Sequence, residues 1–130
     1  MQVPVDLLYT KTHEWARREP SGEVVVGITA HAQEELRDIV FIEPPKIGKT
    51  LRQGEPAAVI ESVKAAFDIY APVSGTVTRV NERVATSPQV VNQDCYADGW
   101  LFAIAPDSPE ELANLMPADA YAKQIAAEAH

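Results

Sequence analysis

A chain of 130 residues, 46% apolar and 23% charged, has the size and balance of a single globular domain that can bury a core without disulfides or metal. Its formal net charge of -8 argues against a nucleic-acid protein, which needs a basic face for phosphates, and against docking on an anionic membrane; basic protein partners stay open. Cys95 is the one cysteine, so no intramolecular disulfide can form, and no apolar run approaches a membrane span. The start, MQVPVDLLYT, has neither the charged head and long apolar stretch of a secretory signal nor the Arg-rich look of a transit peptide. The expected compartment is the cytoplasm, or the mitochondrial matrix for a trimmed eukaryotic form.

In chain order, Leu8 to Arg18 mixes Tyr, Thr and Trp with charges and reads as a strand or strand pair containing His13-Glu14-Trp15. Glu19-Pro20-Ser21-Gly22 is a turn, and Val24 to Ile28 a strand. Thr29 caps a short helix from Ala30 to about Arg37. Ile39 to Glu43 is the next strand, ended by Pro44-Pro45 because neither proline can donate to a ladder. Lys46 to Glu55 is loop. Gly75 to Val80 alternates imperfectly as a strand, 81–99 is a long connection, and Trp100 to Ile104 is a final buried strand. Ser108-Pro109-Glu110-Glu111 has the form of a capping box, with Glu111 reaching back to Ser108 and a short helix running to about Leu115. Pro117 opens a second helix through Tyr121 and Ile125, and the two helices are expected to lie as a lid on the sheets. The core is therefore expected at about 8–105 and the helical segment at about 108–128. A weak echo between Ile39–Ile60 and Gly75–Ile104 suggests two similar halves closing into a flattened barrel or sandwich.

The centre of the chain is Glu61-Ser62-Val63-Lys64-Ala65-Ala66, flanked by the apolar runs Ala57–Ile60 and Phe67–Tyr70. Pro56 and Pro72, with Gly54 and Gly75, bracket a segment of hairpin length. No Asn-Gly or Asp-Gly marks the turn, and on propensity alone residues 57–68 also fit a helix. If the two runs pair, Lys64 lies at the turn with its amine in water. A modifying enzyme needs that presentation, and so does a swinging prosthetic arm.

The motifs YTKTHEW at 9–15, VGIT at 26–29, DIVFIE at 38–43, ESVKA at 61–65, DIYAPVSG at 68–75, VNE at 80–82, Ser87-Pro88, Val91-Asn92 and DGWL at 98–101 together resemble the H proteins of the glycine cleavage system, over roughly Tyr9 to Ile125. The resemblance implies a mainly β, lipoyl-domain-like barrel-sandwich hybrid of two antiparallel sheets, with the lipoate acceptor on a hairpin turn at Lys64 inside the attachment motif Glu61, Ser62, Val63, Ala65. It implies a carrier, not an enzyme. The arm would take an aminomethyl group from glycine at a pyridoxal-phosphate glycine decarboxylase (P protein). It would pass the one-carbon unit to tetrahydrofolate at an aminomethyltransferase (T protein) and be reoxidised by dihydrolipoyl dehydrogenase (L protein). A lipoate-attaching enzyme would load it. The sequence departs from the family at Arg37, where glycine is common before Asp38, at Pro44-Pro45, and at Phe67, Cys95 and Ala97.

The loaded arm carries an ammonium, which needs a carboxylate or hydroxyl when sheltered. By resemblance Thr12, Glu14 and Asp68 occupy the arm groove, with Glu14 or Asp68 pairing to the amine and Thr12 adding a hydrogen bond; the alternative is that all three are ordinary surface polars. Glu61 either helps the modifying enzyme read the hairpin or pairs with Lys64 or solvent. His13, His31 and His130 read as structural, with no cluster at ligand spacing and so no metal. Cys95 has no evident base partner, and Trp15, Trp100 and Phe102 read as core. Alternatives to the glycine carrier are a lipoyl-relay protein supplying 2-oxo-acid dehydrogenase complexes and a biotin carrier, against which Val63 and Ala65 stand where methionines are usual. A carrier visiting several enzymes is expected to be monomeric.

Overall fold

The structure, a computed structural model, describes residues 2–128. Two antiparallel sheets carry the fold. The larger holds, in spatial order, β1 (Leu8–Tyr9), β2 (Glu14–Arg18), β3 (Val24–Ile28), β9 (Phe102–Pro106), β8 (Gly75–Val80) and β5 (Thr50–Leu51). The smaller holds β4 (Ile39–Glu43), β6 (Pro56–Ser62) and β7 (Ala66–Tyr70). Neither sheet closes on itself. Among the described residues four α-helices accompany them: α1 (Ala30–Leu36), α2 (Glu82–Thr86), α3 (Gln89–Gln93) and α4 (Ala118–Glu128).

Burial explains the strand patterns. β3 is apolar at all five positions because both faces of the large sheet are covered there. Val24, Val26 and Ile28 join Phe102, Ile104 and Ile60 in the main core between the sheets. Val25 and Ala103 face the other way, into a smaller cluster with Leu7, Tyr9, Trp15 and Tyr121 beneath α4. Trp15 stands opposite Gly27 in the β2–β3 register. Its indole occupies the space a Cβ at Gly27 would need, 2.5 Å away, and its N–H donates to the Cys95 carbonyl at 2.9 Å. The tail reaches α4 by pairing with β1: the Tyr9 and Met116 amides each donate to the other's carbonyl, at 2.8 and 2.7 Å. Tyr121 then stacks on Tyr9 with ring centroids 4.6 Å apart.

The expected halves are visible as pairing rather than as symmetry. β4 pairs β6 in the small sheet, and β8 pairs β9 in the large one. The imperfect alternation of Gly75–Val80 has a local cause: the ladder slips between Val77 and Arg79, and a bulge there re-aims the side chains beyond it.

Several elements differ from expectation. The loop 46–55 contains the two-residue strand β5. The long connection 81–99 holds α2 and α3, organised by two asparagines. Buried Asn81 donates to the Asp98 and Trp100 carbonyls at 2.8 and 2.7 Å and caps α2. Asn92 accepts from the Ile39 amide at 3.0 Å and donates to the Arg37 carbonyl at 2.7 Å. The last strand begins at Phe102, not Trp100. Trp100 is half-buried and covered by the Arg79 guanidinium, 5.1 Å from the ring centroid. The capping box does not form. Residues Pro109–Asn114 are a 3-10 helix without a side-chain cap from Ser108. Glu111 reaches across the fold instead, accepting from the Ser74 amide at 2.7 Å and hydroxyl at 3.0 Å, two tertiary bonds that outweigh one local cap.

Candidate functional site: a lysine on a hairpin tip

β6 and β7 form the hairpin, with Glu61 opposite Ala66 in register, so residues 57–68 are not a helix. Val63, Lys64 and Ala65 make the connection, and all three are exposed. The turn manages without Asn-Gly because, among the described residues, only His13 and Arg37 are non-glycine positions with positive φ. None of the turn residues needs the left-handed conformation. The Ser62 hydroxyl takes over the turn's hydrogen bonding, accepting from the Lys64 and Ala65 amides at 3.2 Å each. The Ser62 amide donates to the Ala65 carbonyl at 2.8 Å. The tip is also tied to the α1–β4 junction, since the Val63 amide donates to the Asp38 carbonyl at 3.1 Å. The backbone under Lys64 is therefore fixed while its side chain is free. Among the described residues no ion pair joins Lys64 to Glu61, which is exposed.

Lys64 borders a shallow groove of about 640 Å³ lined also by His31, Glu34, Glu35 and Arg37 from the α1 side and Ala122, Ile125 and Ala126 from α4. A second hollow of about 190 Å³ is lined by Thr12, His13, Ile28, Ala32, Glu35, Leu36, Phe67, Asp68, Ile69 and Glu128. Glu35 lines both. The structure thus brings Thr12 and Asp68 together, over an apolar floor to which Phe67, 50% exposed, contributes its ring.

Glu14 is elsewhere. It is fully buried and its carboxylate is already engaged: Oε1 accepts from the Thr10 hydroxyl and from the Thr12 hydroxyl at 2.5 Å, and Oε2 from the Tyr70 amide at 3.1 Å. It bridges β2 to β7 across the two sheets and holds Thr12 in place. Burial pushes its carboxyl above the usual range, opposed by the hydrogen bonds from Thr10, Thr12 and Tyr70. Sequence spacing gave no sign of this, because a carboxylate at the start of a strand mixed with charged residues reads as exposed.

The histidines depart furthest from expectation. His13, His31, Glu35 and Glu128 converge, one ligand-type atom from each lying within 4.8 Å of all the others. The reading that no such cluster accompanies His13 is corrected: the four come from the β1–β2 loop, α1 and α4. The readable signal was His31 and Glu35, one helical turn apart on one face of α1. His130 lies outside the described residues. Burial pushes the Cys95 thiol up to about 11, so it stays protonated near neutral pH. Trp15 and Phe102 are core, as expected.

A free lysine on a stiff hairpin tip, beside a groove and carried by two antiparallel sheets, is the layout of a lipoyl-bearing carrier domain. The comparisons agree and narrow it. The family model described as Glycine cleavage H-protein matches residues 7–128. The chain is 54% identical over its full length to the glycine cleavage system H protein of Thiobacillus denitrificans, covering all of that protein. It is 53% identical over 98% of each chain to that of Halorhodospira halophila. It superposes on the crystal structure of a glycine cleavage system H protein from Mycobacterium marinum with a TM-score of 0.88 at 36% identity, covering 95% of this chain and 99% of that one. The chain belongs to the glycine cleavage H-protein family. It is a lipoyl carrier of the glycine cleavage system, a shuttle bearing covalent lipoate and not itself an enzyme. Among the described residues no helix is long and apolar enough to cross a membrane.

Proposed function

We propose that Lys64 is the lipoate acceptor. The observation that supports it is the tip itself: an exposed amine on a turn whose backbone is held by Ser62 and Asp38. A ligase can engage such a turn without unfolding it, and Glu61, exposed and adjacent, is available for that recognition. When attached, the dithiolane supplies the redox-active sulfurs that receive and release the aminomethyl group, the chemistry belonging to the cofactor and the positioning to the protein. The residues of this chain do the rest. The groove from Lys64 past Glu35 to Thr12 and Asp68 is a path along which an arm can be sheltered. Phe67 and Ile69 give it an apolar wall. Asp68, exposed and free of any hydrogen bond among the described residues, is the carboxylate placed to receive an ammonium, and Thr12, oriented by Glu14, the adjacent hydroxyl. Glu14 acts through Thr12 rather than on the arm.

The partners implied are glycine decarboxylase, aminomethyltransferase, dihydrolipoyl dehydrogenase and a lipoate-attaching enzyme, met in turn by a cytoplasmic monomer. The deciding experiment is intact mass and peptide mapping after incubation with a lipoate ligase and lipoate, wild type beside Lys64→Ala. One lipoyl group on Lys64, absent from the variant, is expected. Addition that persists in the variant, or none on folded wild type with an active ligase, refutes the assignment. Glycine–bicarbonate exchange with the decarboxylase then separates the glycine shuttle from a relay role.

A further inference from the structure

The cluster above the groove is built like a metal site. His13 Nε2 lies 3.1 Å from Glu128 Oε1, and His31 Nε2 lies 3.5 Å from the same oxygen and 2.5 Å from Glu35 Oε1. His31 Nε2 is shielded from water and makes no well-aligned hydrogen bond among the described residues. This buried ring nitrogen faces two carboxylates at ion-pair distance but is aligned for a hydrogen bond with neither, an arrangement that a cation between them would satisfy. Four N and O ligands around a zinc ion at 2.0–2.1 Å sit about 3.3 Å apart. Two of the three contacts already have that spacing, and the third reaches it by a small rotation of Glu35, which is largely exposed.

The outer groups are in place as well. His13 Nδ1 is bonded to the Tyr121 hydroxyl at 2.8 Å, which leaves Nε2 aimed into the cluster. Tyr121 is itself bonded to Thr29, the cap of α1, at 2.7 Å. Glu128 Oε2 accepts from the Gln124 amide at 2.7 Å, which turns Oε1 toward both imidazoles. Metal-binding histidines and carboxylates are oriented by such second partners. His13 holds a left-handed backbone at φ 74°, uncommon for a residue other than glycine.

We propose that His13, His31, Glu35 and Glu128 bind one divalent first-row transition metal, zinc or a close congener, since mixed imidazole and carboxylate ligands suit that class. The ion links the β1–β2 loop and α1 to the last turn of α4. It pins the lid where it borders the hollow lined by Thr12 and Asp68. The proposal is independent of whether Lys64 carries lipoate.

The test uses the full chain stripped with a chelator and titrated with zinc chloride. One equivalent should bind saturably, shift the ring nitrogens of His13 and His31 together in the NMR spectrum, and raise Tm. His31→Ala and Glu128→Gln, both checked for folding by circular dichroism, should each weaken binding at least about tenfold and abolish the Tm rise. Tyr121→Phe should weaken it about 10–100-fold without abolishing it, the usual effect of losing a second partner. No saturable binding refutes the site. So does binding that survives in a His13→Asn, His31→Ala double variant, or shifts confined to His130. Asparagine is chosen at 13 because it tolerates the left-handed backbone.

Discussion

Arg37→Gly should make the protein more stable. Arg37 ends α1 at φ 64°, ψ -139°, outside even the left-handed helical region that side chains occasionally adopt. Such a backbone costs on the order of 1–3 kcal/mol for a residue with a Cβ, and very little for glycine. The conformation is imposed from outside. The Arg37 amide donates to the Gln33 carbonyl at 3.0 Å and its own carbonyl accepts from Asn92. The next residue, Asp38, holds the hairpin tip through Val63. Its side chain is exposed and makes no ion pair among the described residues, so nothing is lost by removing it. Against the relief stands the larger unfolded-state entropy of glycine, roughly 0.5–1 kcal/mol. The net is a gain of about 1 kcal/mol, or roughly 4 °C in Tm for a domain of this size. Urea and thermal unfolding would measure it, with Arg37→Ala as the control that deletes the side chain but keeps the Cβ. If glycine does no better than alanine, the strain is not there and the reasoning fails.

Glu14 gives a pH signature. Because burial raises its carboxyl in the folded state above the ordinary value of 4.5, the native protein holds that proton more tightly than the unfolded chain. Its contribution to stability is therefore present below about 4.5 and is lost as pH rises through the raised folded value. Glu14→Gln should flatten that part of the stability–pH profile measured by urea unfolding; an unchanged slope would place the effect on another group. Gly27→Ala sets a methyl 2.5 Å from the Trp15 ring, which is fully buried and pinned to Cys95. Overpacking of this kind costs about 3 kcal/mol, so Tm should fall by roughly 10 °C with a change in Trp fluorescence. A neutral Gly27→Ala would show that the indole can move.

What was legible in the sequence followed periodicity and punctuation. β3, β4 and α1 with its Thr29 cap declare themselves within a few residues, whereas the hairpin around Lys64, which also fits a helix on propensity, is singled out only by the family resemblance. What was not legible depends on distant partners. Glu111 looks like half of a capping box until Ser74 offers two donors. Asn81 and Asn92 look like loop residues until they are seen binding carbonyls and amides from other segments, and with them α2 and α3 come into order. Arg37 is a departure without meaning until its φ is known. The hairpin motif predicted where the lysine sits, but the groove beside it is assembled from α1, β7 and α4, which no local spacing could join. The same holds for His13 and Glu128, which join the His31–Glu35 pair of α1 only when the β1–β2 loop and α4 pack against that helix.

The two non-glycine residues with positive φ among those described, His13 and Arg37, flank the same helix and serve different parts of the carrier. Arg37 turns the chain so that Asp38 can hold the hairpin tip. His13 turns its loop so that the imidazole meets α1 and α4. Strain held by surrounding contacts is a common means of fixing geometry at working sites, and here it separates two requirements that conflict. A shuttle needs a lysine whose base is rigid but whose side chain swings. It also needs a sheltering wall that can be fastened and released. With the tip anchored at the α1 C-terminus and the proposed metal held at its His31–Glu35 face, one short helix would serve both, so that relief of strain at Arg37 should leave zinc binding at the cluster unchanged, and loss of His31 should leave lipoate loading at the tip unchanged.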